Sequence, residues 1–242
     1  MYFNARSIKN KFDEVQAYIK SENLDMLGIT ETWINGHEFE AEFNIPGYKL
    51  FHQDREHKKG GGVLLYVKNE IHACEQRKDK QDKYDSLWVE LTEANGQKMN
   101  VGVIYRPKTL SLADDNKLFH ELSTFCNREV LIMGDFNFND INWTTLEHGS
   151  VGSRLIDFLG DNYLVQHVKD PTRNRNILDL LITSRENLIT DVEIGENIAS
   201  SDHNLIKCNL QKSFRIDSSL SVIPDLRKAN FTRLREDLQL ID

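Results

Sequence analysis

Asp135 and Asn137 lie two residues apart, directly after a short apolar segment. Val130–Met133 are apolar and Gly134 follows them, which is typical of a buried strand that ends at a glycine. Residues two apart on an extended chain share one side, so the carboxylate and the amide are predicted to face the same way. Gly-Asp alone is equally typical of an ordinary turn, so the interpretation of this motif depends on the rest of the chain.

Asp179 is embedded in the apolar segment Ile177–Ile182, where its carboxylate is expected to be at least partly buried. A buried, unpaired charge costs on the order of several kcal/mol, so it needs a partner. His203 is a natural partner, because an Asp–His pair fixes the imidazole tautomer and raises its basicity. The sequence therefore predicts that these two residues act together.

Glu31, Asp135 and Asp202 also follow apolar segments, and their oxygen atoms would converge on one point. Such hard ligands suit Mg²⁺ or Mn²⁺, and the lack of a Cys/His cluster argues against a structural zinc site. Each residue also has an ordinary interpretation. Glu31 fits a helix cap, and Asp202 with His203 fits a solvated turn. Tyr105, which precedes Arg106 and Pro107, fits the end of a strand.

Length and charge narrow the class of protein. The chain has 242 residues, 39% of them hydrophobic, which suits one large or two small globular domains. Its net charge of −8 argues against a broad electrostatic binder of nucleic acid, but not against an enzyme whose acidic groups hold a metal. The first residues lack the apolar h-region expected of a signal peptide, and no apolar run approaches the roughly 18 residues that span a bilayer. Three scattered cysteines indicate reduced thiols, so we expect an intracellular protein without a membrane segment.

The elements that must position these side chains are mostly short strands with hairpin signals. Strands are predicted at Leu24–Thr30, Gly47–His52, Val63–Val67, Asp85–Leu91, Lys98–Tyr105, Val165–Val168, Ile177–Thr183, Asp191–Glu193 and Leu205–Leu210. Helices are predicted at Ser7–Asn23, Ser111–Arg128 and Ser153–Asn162. This pattern favours an α+β protein in which two mostly antiparallel sheets pack together with helices outside.

The last thirty residues change character. Ser213–Pro224 is polar and aperiodic, as linkers are, and Asp225–Leu240 shows the spacing of an amphipathic helix. We expect the main domain to span residues 1–211 and residues 212–242 to form a linker and a helix outside it.

Taken in order, the motif residues resemble the endonuclease/exonuclease/phosphatase superfamily. The matching motifs are Asn4, Ile-Thr-Glu31-Thr-Trp, Tyr105-Arg106-Pro107, Gly-Asp135-Phe-Asn137, Leu-Asp179-Leu and Ser-Asp202-His203. Asn-Ala-Arg-Ser-Ile-Lys-Asn-Lys near the start, and Pro171-Thr172-Arg173, resemble the endonuclease domain of LINE-type (non-LTR), jockey-like retrotransposon proteins. In that branch a reverse transcriptase domain follows, and the motif Asp225-Leu-Arg-Lys-Ala-Asn-Phe resembles the connector to it. No Tyr-x-Asp-Asp-like motif occurs, so we expect a fragment that lacks the reverse transcriptase.

The resemblance implies a four-layer α/β/β/α sandwich, DNase I-like, and hydrolysis of phosphodiesters with Mg²⁺ or Mn²⁺. The implied substrate is double-stranded DNA, nicked to leave a 3′-hydroxyl for target-primed reverse transcription. The implied partner is the reverse transcriptase domain of a full-length polyprotein, and the implied location is nuclear.

The resemblance also implies the role of each site residue. It makes Glu31 the principal metal ligand, with Asn4 and Asp202 nearby. His203, oriented by Asp179, would accept a proton from the attacking water or hold the phosphate. The remaining implied roles are positioning of the nucleophile and phosphate by Asp135 and Asn137, a hydrogen bond to the phosphate from Tyr105, and substrate binding by Thr172 and Asn176.

Two alternatives stay open at this point. A phosphomonoesterase or sphingomyelinase-type phosphoesterase could use the same fold, since fold does not choose the substrate. A catalytically inert retroelement fragment is the other alternative. The chain shows no recognisable basic loops for an inositol phosphate head group, and all motif residues are present, so DNA nicking is favoured.

Overall fold

Short apolar segments, buried on both faces in the inner strands, build two six-stranded sheets packed face to face in the part of the chain that the structure describes. The computed structural model describes residues 1–34, 42–54, 60–76, 83–198 and 201–217. The strands are β1 (Tyr2–Asn4), β2 (Met26–Thr30), β3 (Tyr48–Gln53), β4 (Val63–Lys68), β5 (Ala73–Glu75), β6 (Asp85–Thr92), β7 (Lys98–Tyr105), β8 (Glu129–Asp135), β9 (Val165–Gln166), β10 (Asp179–Thr183), β11 (Ile189–Ile194) and β12 (Ile206–Leu210). The helices are α1 (Phe12–Ser21), α2 (Leu112–Phe125) and α3 (Ser153–Asp161), with 3₁₀ turns at Lys9–Lys11 and Glu186–Leu188.

The first sheet has the order β11-β12-β1-β2-β4-β3 and the second has the order β5-β6-β7-β8-β10-β9. The pairs β1–β2 and β7–β8 are parallel, and the other neighbours are antiparallel. The prediction of two mostly antiparallel sheets is therefore confirmed.

Three apolar clusters separate four layers. Side chains such as Leu65, Val101 and Met133 fill the space between the sheets. Helix α1 covers the outer face of the first sheet through Val15 and Ile19. Helices α2 and α3 cover the outer face of the second sheet through residues that include Leu118, Leu122, Leu155 and Phe158. This is the four-layer α/β/β/α sandwich that the resemblance implied.

Gly134 is needed where β7 and β8 pair. A Cβ atom at this position would lie 2.0 Å from the carbonyl oxygen of Ile104. Only glycine therefore allows the two parallel strands to approach this closely, one residue before Asp135.

The first helix begins later than Ser7, where the sequence predicts it. Arg6 and Ser7 have φ values of 43° and 82°, outside the helical region. The reason is tertiary: the backbone N–H of Ser7 donates to Glu31 O at 2.8 Å and that of Ile8 donates to Thr32 O at 3.0 Å. These bonds attach the segment to the end of β2 and delay the helix.

The strand β10 begins at Asp179 rather than Ile177. The hydroxyl oxygen of Thr172 accepts the backbone N–H groups of Leu178 and Asp179, both at 3.1 Å. These donors are therefore taken up by a side chain before the strand ladder starts. The structure also contains β5, which the sequence pattern does not predict, and β11 is longer than Asp191–Glu193. Among the described residues, no helix combines the length and apolar character needed to cross a bilayer.

The chain continues along the sandwich for a few residues beyond Lys212. The backbone N–H of Ala94 donates to Ser213 O, and that of Arg215 donates to Thr92 O, both at 2.8 Å. Phe214 packs against the core between the sheets, and Asp217 forms an ion pair with Lys49 and a hydrogen bond with His72 Nδ1. The predicted helix at Asp225–Leu240 lies outside the described residues. The division into residues 1–211 and 212–242 stays a prediction.

Two truncations test where the domain ends. We expect a chain cut after Asp217 to keep the full-length melting temperature, because every contact described above is retained. A chain cut after Lys212 loses the packing of Phe214, which is worth about 2 kcal/mol, and should melt roughly 4–8 °C lower. Calorimetry on the three proteins measures this, and equal melting temperatures for both truncations would show that 213–217 add no stability.

Candidate active site

One row of side chains crosses the second sheet at the same level. Asp85 pairs with Tyr105, Tyr105 with Asp135, and Asp135 with Asp179. Residues opposite each other in a sheet project to the same face, and this face is the one that looks into the space between the sheets. The apolar core therefore ends in a polar row that contains three carboxylates.

Asn4 links this row to the first sheet. Its Nδ2 group donates to Glu31 Oε1 and to Asp135 Oδ2, both at 2.9 Å. Its Oδ1 atom accepts the backbone N–H of Arg6 at 3.0 Å. Because that bond requires the oxygen on one side, the amide presents its two N–H groups to the two carboxylates.

Glu31 occupies a left-handed backbone conformation directly after β2, with φ of 51°. Trp33 is also left-handed, at 56°, and its indole N–H donates to Glu31 Oε2 at 3.2 Å. The backbone N–H groups of Thr32 and Trp33 donate to Gly62 O and Gly61 O. Backbone strain of this kind persists only where surrounding contacts fix it, and here it turns the Glu31 carboxylate towards Asn4.

Asp179 and His203 are completely buried and form the predicted pair, with 2.6 Å between His203 Nδ1 and Asp179 Oδ2. The hydroxyl of Tyr2 donates to Asp179 Oδ1 at 2.9 Å and lies 2.7 Å from Thr30 Oγ1. Burial, followed by the charges of Asp179 and Asp135, raises the pKa of Tyr2, so this hydroxyl stays protonated and donates. Both oxygens of Asp179 are thus engaged.

The loop that carries His203 is held by contacts on both sides of this residue. Ser201 donates its hydroxyl to Asn4 O at 2.6 Å, and its Oγ accepts the backbone N–H of His203 at 3.2 Å. The backbone N–H of Asn204 donates to Thr172 O at 2.8 Å. His203 Nδ1 faces Asp179, while Nε2 is buried without a hydrogen-bond partner in the described part of the chain.

Asn137 meets Asp135 through a turn rather than along an extended strand. The strand ends at Asp135, and Asn137 has a φ of 54°. Its backbone N–H donates to Asp135 Oδ1 at 3.1 Å, and its Nδ2 donates to Arg106 O at 3.0 Å. Its Oδ1 is buried without a partner in the described residues. The side chain therefore presents an acceptor that is available to a ligand.

Arg106 stabilises this turn by connecting it to helix α2. Its guanidinium forms two bonds to the Asp115 carboxylate, at 2.7 and 2.8 Å, and both side chains are buried. A third bond reaches Phe136 O at 3.3 Å, and the guanidinium stacks 4.0 Å from the ring centre of Phe138. A bidentate, buried pair of this kind has strong geometric preferences, so it fixes the chain on both sides of Asn137.

In the contacts described above, no lysine or arginine donates to the carboxylates of Glu31, Asp135 and Asp179. Burial raises the pKa of Asp135, and the nearby charges of Asp179 and Glu31 raise it further. Donor atoms of Asp135, Asp179 and His203 lie within 4.8 Å of one another. Converging oxygens, the unpartnered Asn137 Oδ1 and an excess of negative charge fit a divalent cation with oxygen ligands.

The structure brings most of the predicted residues together. Those at the end of the sandwich are Asn4, Glu31, Tyr105, Asp135, Asn137, Asp179 and His203. Asp202 lies nearer the surface, in ion pairs with Arg6 and Arg173. Thr172 is buried and supports the start of β10, and Asn176 is exposed and closes a turn with Arg173. The chemical roles assigned to these residues stay predictions.

Two site residues are absent from the sequence predictions. Tyr2 begins β1, and its alternation with Asn4 was the available signal, since both must face the same side of the strand. Asp85 begins β6, is buried, and accepts the backbone N–H of Gly62 at 3.0 Å. A carboxylate at the start of an apolar strand is common, so its burial had no distinct signature in the sequence.

Comparisons with known proteins agree on one family. The profile of the Endonuclease/Exonuclease/phosphatase family matches residues 1–203. No curated protein matches the chain. Among solved structures, the endonuclease domain of TRAS1, a telomere-specific non-LTR retrotransposon, is 15% identical with a TM-score of 0.70, and the match covers 86% of this chain and 95% of that one.

Two further solved structures share the fold. The AP endonuclease LMAP from Leishmania major is 15% identical with a TM-score of 0.64, over 86% of this chain and 85% of that one. The 3′ phosphatase NExo from Neisseria, bound to product DNA hairpin, is 15% identical with a TM-score of 0.63, over 86% and 97%. Similarity at this level of identity shows a common fold.

Asp115→Ala tests the support beneath Asn137. Removing one partner of a buried ion pair costs about 3–5 kcal/mol, so we expect the melting temperature to fall by roughly 10 °C. The control is Asp157→Ala, which removes an exposed carboxylate on α3 and should change stability by less than about 0.5 kcal/mol. If both variants have the melting temperature of the parent protein, the Arg106–Asp115 pair does not stabilise this region.

Proposed function

Since the chain belongs to the endonuclease/exonuclease/phosphatase family, we propose that it is a divalent-metal-dependent endonuclease. Its substrate is double-stranded DNA, and its reaction is hydrolysis of one phosphodiester to leave a 3′-hydroxyl. The observation that carries the proposal is the meeting of the half-buried Glu31 with the buried Asn4, Asp135 and Asp179–His203 pair at one end of the sandwich.

The oxygen atoms of Glu31 and Asp135, with Asn4 between them, are the groups that would hold Mg²⁺ or Mn²⁺. When bound, such an ion neutralises the charge of the phosphodiester and stabilises the leaving oxygen. The protein prepares this site with Asn4 and Trp33, which hold the Glu31 carboxylate from two sides.

His203 serves as the proton acceptor for the attacking water. Its Nδ1–H bond to Asp179 fixes the tautomer, so Nε2 is the atom that accepts the proton. Tyr2 and Asp179 hold the imidazole in place, because Tyr2 occupies the second oxygen of the carboxylate. General-base help of this kind contributes roughly 10²–10⁴-fold to a rate.

Asp135 and Asn137 position the nucleophile and the phosphate oxygens. The turn that ends β8 places the Asn137 amide beside the carboxylate, and its unpartnered Oδ1 is buried at the site. Tyr105 lies next to Asp135 in the row and donates its hydroxyl to the phosphate. Thr172 and Asn176 are proposed to act in substrate binding through the loop they stabilise.

The proposed biological setting is a non-LTR retrotransposon protein. Its motifs resemble that branch, and the fold is shared with the TRAS1 endonuclease domain. In this setting the 3′-hydroxyl primes reverse transcription, the partner is a reverse transcriptase domain in the same polyprotein, and the location is nuclear. DNA as the substrate is supported by the fold shared with NExo, which was solved with a product DNA hairpin.

A phosphomonoesterase is the second candidate, because NExo is described as a 3′ phosphatase. Two parallel assays separate the candidates: nicking of supercoiled plasmid, and release of inorganic phosphate from a 3′-phosphorylated oligonucleotide or an inositol phosphate. We expect nicking to dominate. Phosphate release with intact plasmid would favour the phosphomonoesterase.

His203→Ala and Asp135→Ala test the proposed catalytic residues. Each should lower the nicking rate by at least about 10²-fold, which is the effect of losing a general base or a positioning group. Matched controls are His120→Ala on α2 and Asp161→Ala on α3, both of exposed residues. Nicking by either site variant at the rate of its control would remove that residue from its proposed role.

Removing the metal tests the cofactor. We expect nicking with Mg²⁺ or Mn²⁺, none in EDTA, and weaker metal binding by Glu31→Gln in calorimetric titration. The exposed residue Glu186 provides the control, Glu186→Gln, which should bind the ion like the parent protein. Undiminished nicking in EDTA would rule out the proposed chemistry.

A further inference from the structure

Two arginines converge on one carboxylate oxygen at the rim of the site. Arg6 Nη1 lies 3.0 Å from Asp202 Oδ2, and Arg173 Nη2 forms an ion pair with the same oxygen atom. The side chains of Arg6, Arg173 and Asp202 are 48%, 25% and 35% exposed. The cluster therefore carries two positive charges against one negative charge and remains open to solvent.

Arg6 is attached directly to the site. Its backbone N–H donates to Asn4 Oδ1, the bond that orients the Asn4 amide. Its φ of 43° is left-handed, a conformation that costs free energy for a non-glycine residue. The backbone of Arg6 is therefore fixed next to Asn4, and its guanidinium can reach only groups close to the site.

Arg173 approaches from the other side of the site. It follows Thr172, whose hydroxyl oxygen accepts the backbone N–H of Asp179. Its own backbone N–H donates to Asn176 O at 3.1 Å, which closes the turn. Asp202 precedes His203 in the chain, so all three members of the cluster are within two residues of a residue that builds the site.

The charge of the protein makes such a cluster useful. The net charge is −8 and the site holds three carboxylates, and negative charge of this kind disfavours the approach of an anionic polymer. Guanidinium groups match the oxygens of carboxylates and phosphates in the same geometry. The Asp202 oxygen between the two arginines thus occupies a position suited to a phosphate oxygen.

We propose that Arg6 and Arg173 bind backbone phosphates of duplex DNA next to the phosphodiester that is cleaved. Asp202 is a positioning residue that keeps both guanidinium groups at the rim. This inference rests on the proposed function and extends it, since it assigns the contacts that set the position of the DNA. It differs from the metal-ligand role that the family resemblance implies for Asp202.

Metal-free binding of a fluorescent 20-base-pair DNA duplex, measured by anisotropy in EDTA over a range of salt concentrations, tests the proposal. The slope of log K against log[salt] is negative, and each lost phosphate contact decreases its magnitude by about 0.9. We expect this decrease for Arg6→Gln and for Arg173→Gln, about twice that for the double variant, and slopes near the parent value for Arg6→Lys and Arg173→Lys. The control is Arg154→Gln on α3, which removes the same charge from a half-buried residue that pairs with Asn116 instead of Asp202 and should leave the slope unchanged.

Asp202→Asn separates positioning from metal binding. If Asp202 positions the arginines, the variant keeps the rise in melting temperature that Mg²⁺ produces in the parent protein, while its KM for DNA nicking increases. Loss of that rise would identify Asp202 as a metal ligand and overturn its assigned role.

The outcomes for the two proposals are distinct. If both glutamine variants bind with the parent slope while the protein nicks DNA, the arginine proposal is wrong and the proposed function stands. If the slopes fall as expected but no nicking occurs with any divalent metal, the arginine contacts stand and the proposed function is wrong.

Discussion

The main physical constraint in this protein is the burial of several carboxylates at one end of the space between two sheets. Asp135 and Asp179 face each other across a strand pair, and Glu31 reaches them through Asn4. Charges at this depth repel one another and lose hydration, which is why the pKa of Asp135 is raised. A divalent cation would relieve this repulsion, whereas an internal arginine or lysine would neutralise the carboxylates without leaving a binding site.

The surrounding contacts follow from that constraint. Asn4 and Tyr2 are neutral donors that hold the carboxylates in place without cancelling their charge. The strong cation–anion pair, Arg106 with Asp115, lies beneath the site and stabilises the turn at Asn137 from outside it. Arg6 and Arg173, which are partly exposed to solvent, lie at the rim. There they are suited to binding substrate phosphates and do not pair with the carboxylates proposed to hold the metal.

Local pattern predicted a large part of this arrangement. Short apolar segments bounded by turn signals predicted the sheets, and the apolar neighbours of Asp179 predicted its burial and its pairing with His203. Features that depend on distant backbone contacts were beyond such a pattern. The left-handed Arg6 is an example, because the segment it begins is attached to residues about 25 positions later, at Glu31 and Thr32. Asp202 is another, because its ion-pair partners, Arg6 and Arg173, lie on two different loops that only the assembled fold brings together.

The most direct test of the central claim is the chemistry of the strand end that the protein makes. Supercoiled plasmid is incubated with the protein and Mg²⁺, the nicked circles are purified, and a DNA polymerase with labelled nucleotides is added without any prior phosphatase treatment. Hydrolysis at this site should give nicked circles whose 3′ ends are extended at once, because they carry a hydroxyl. Nicked circles that the polymerase extends only after removal of a 3′ phosphate, or plasmid that stays supercoiled, would contradict the account.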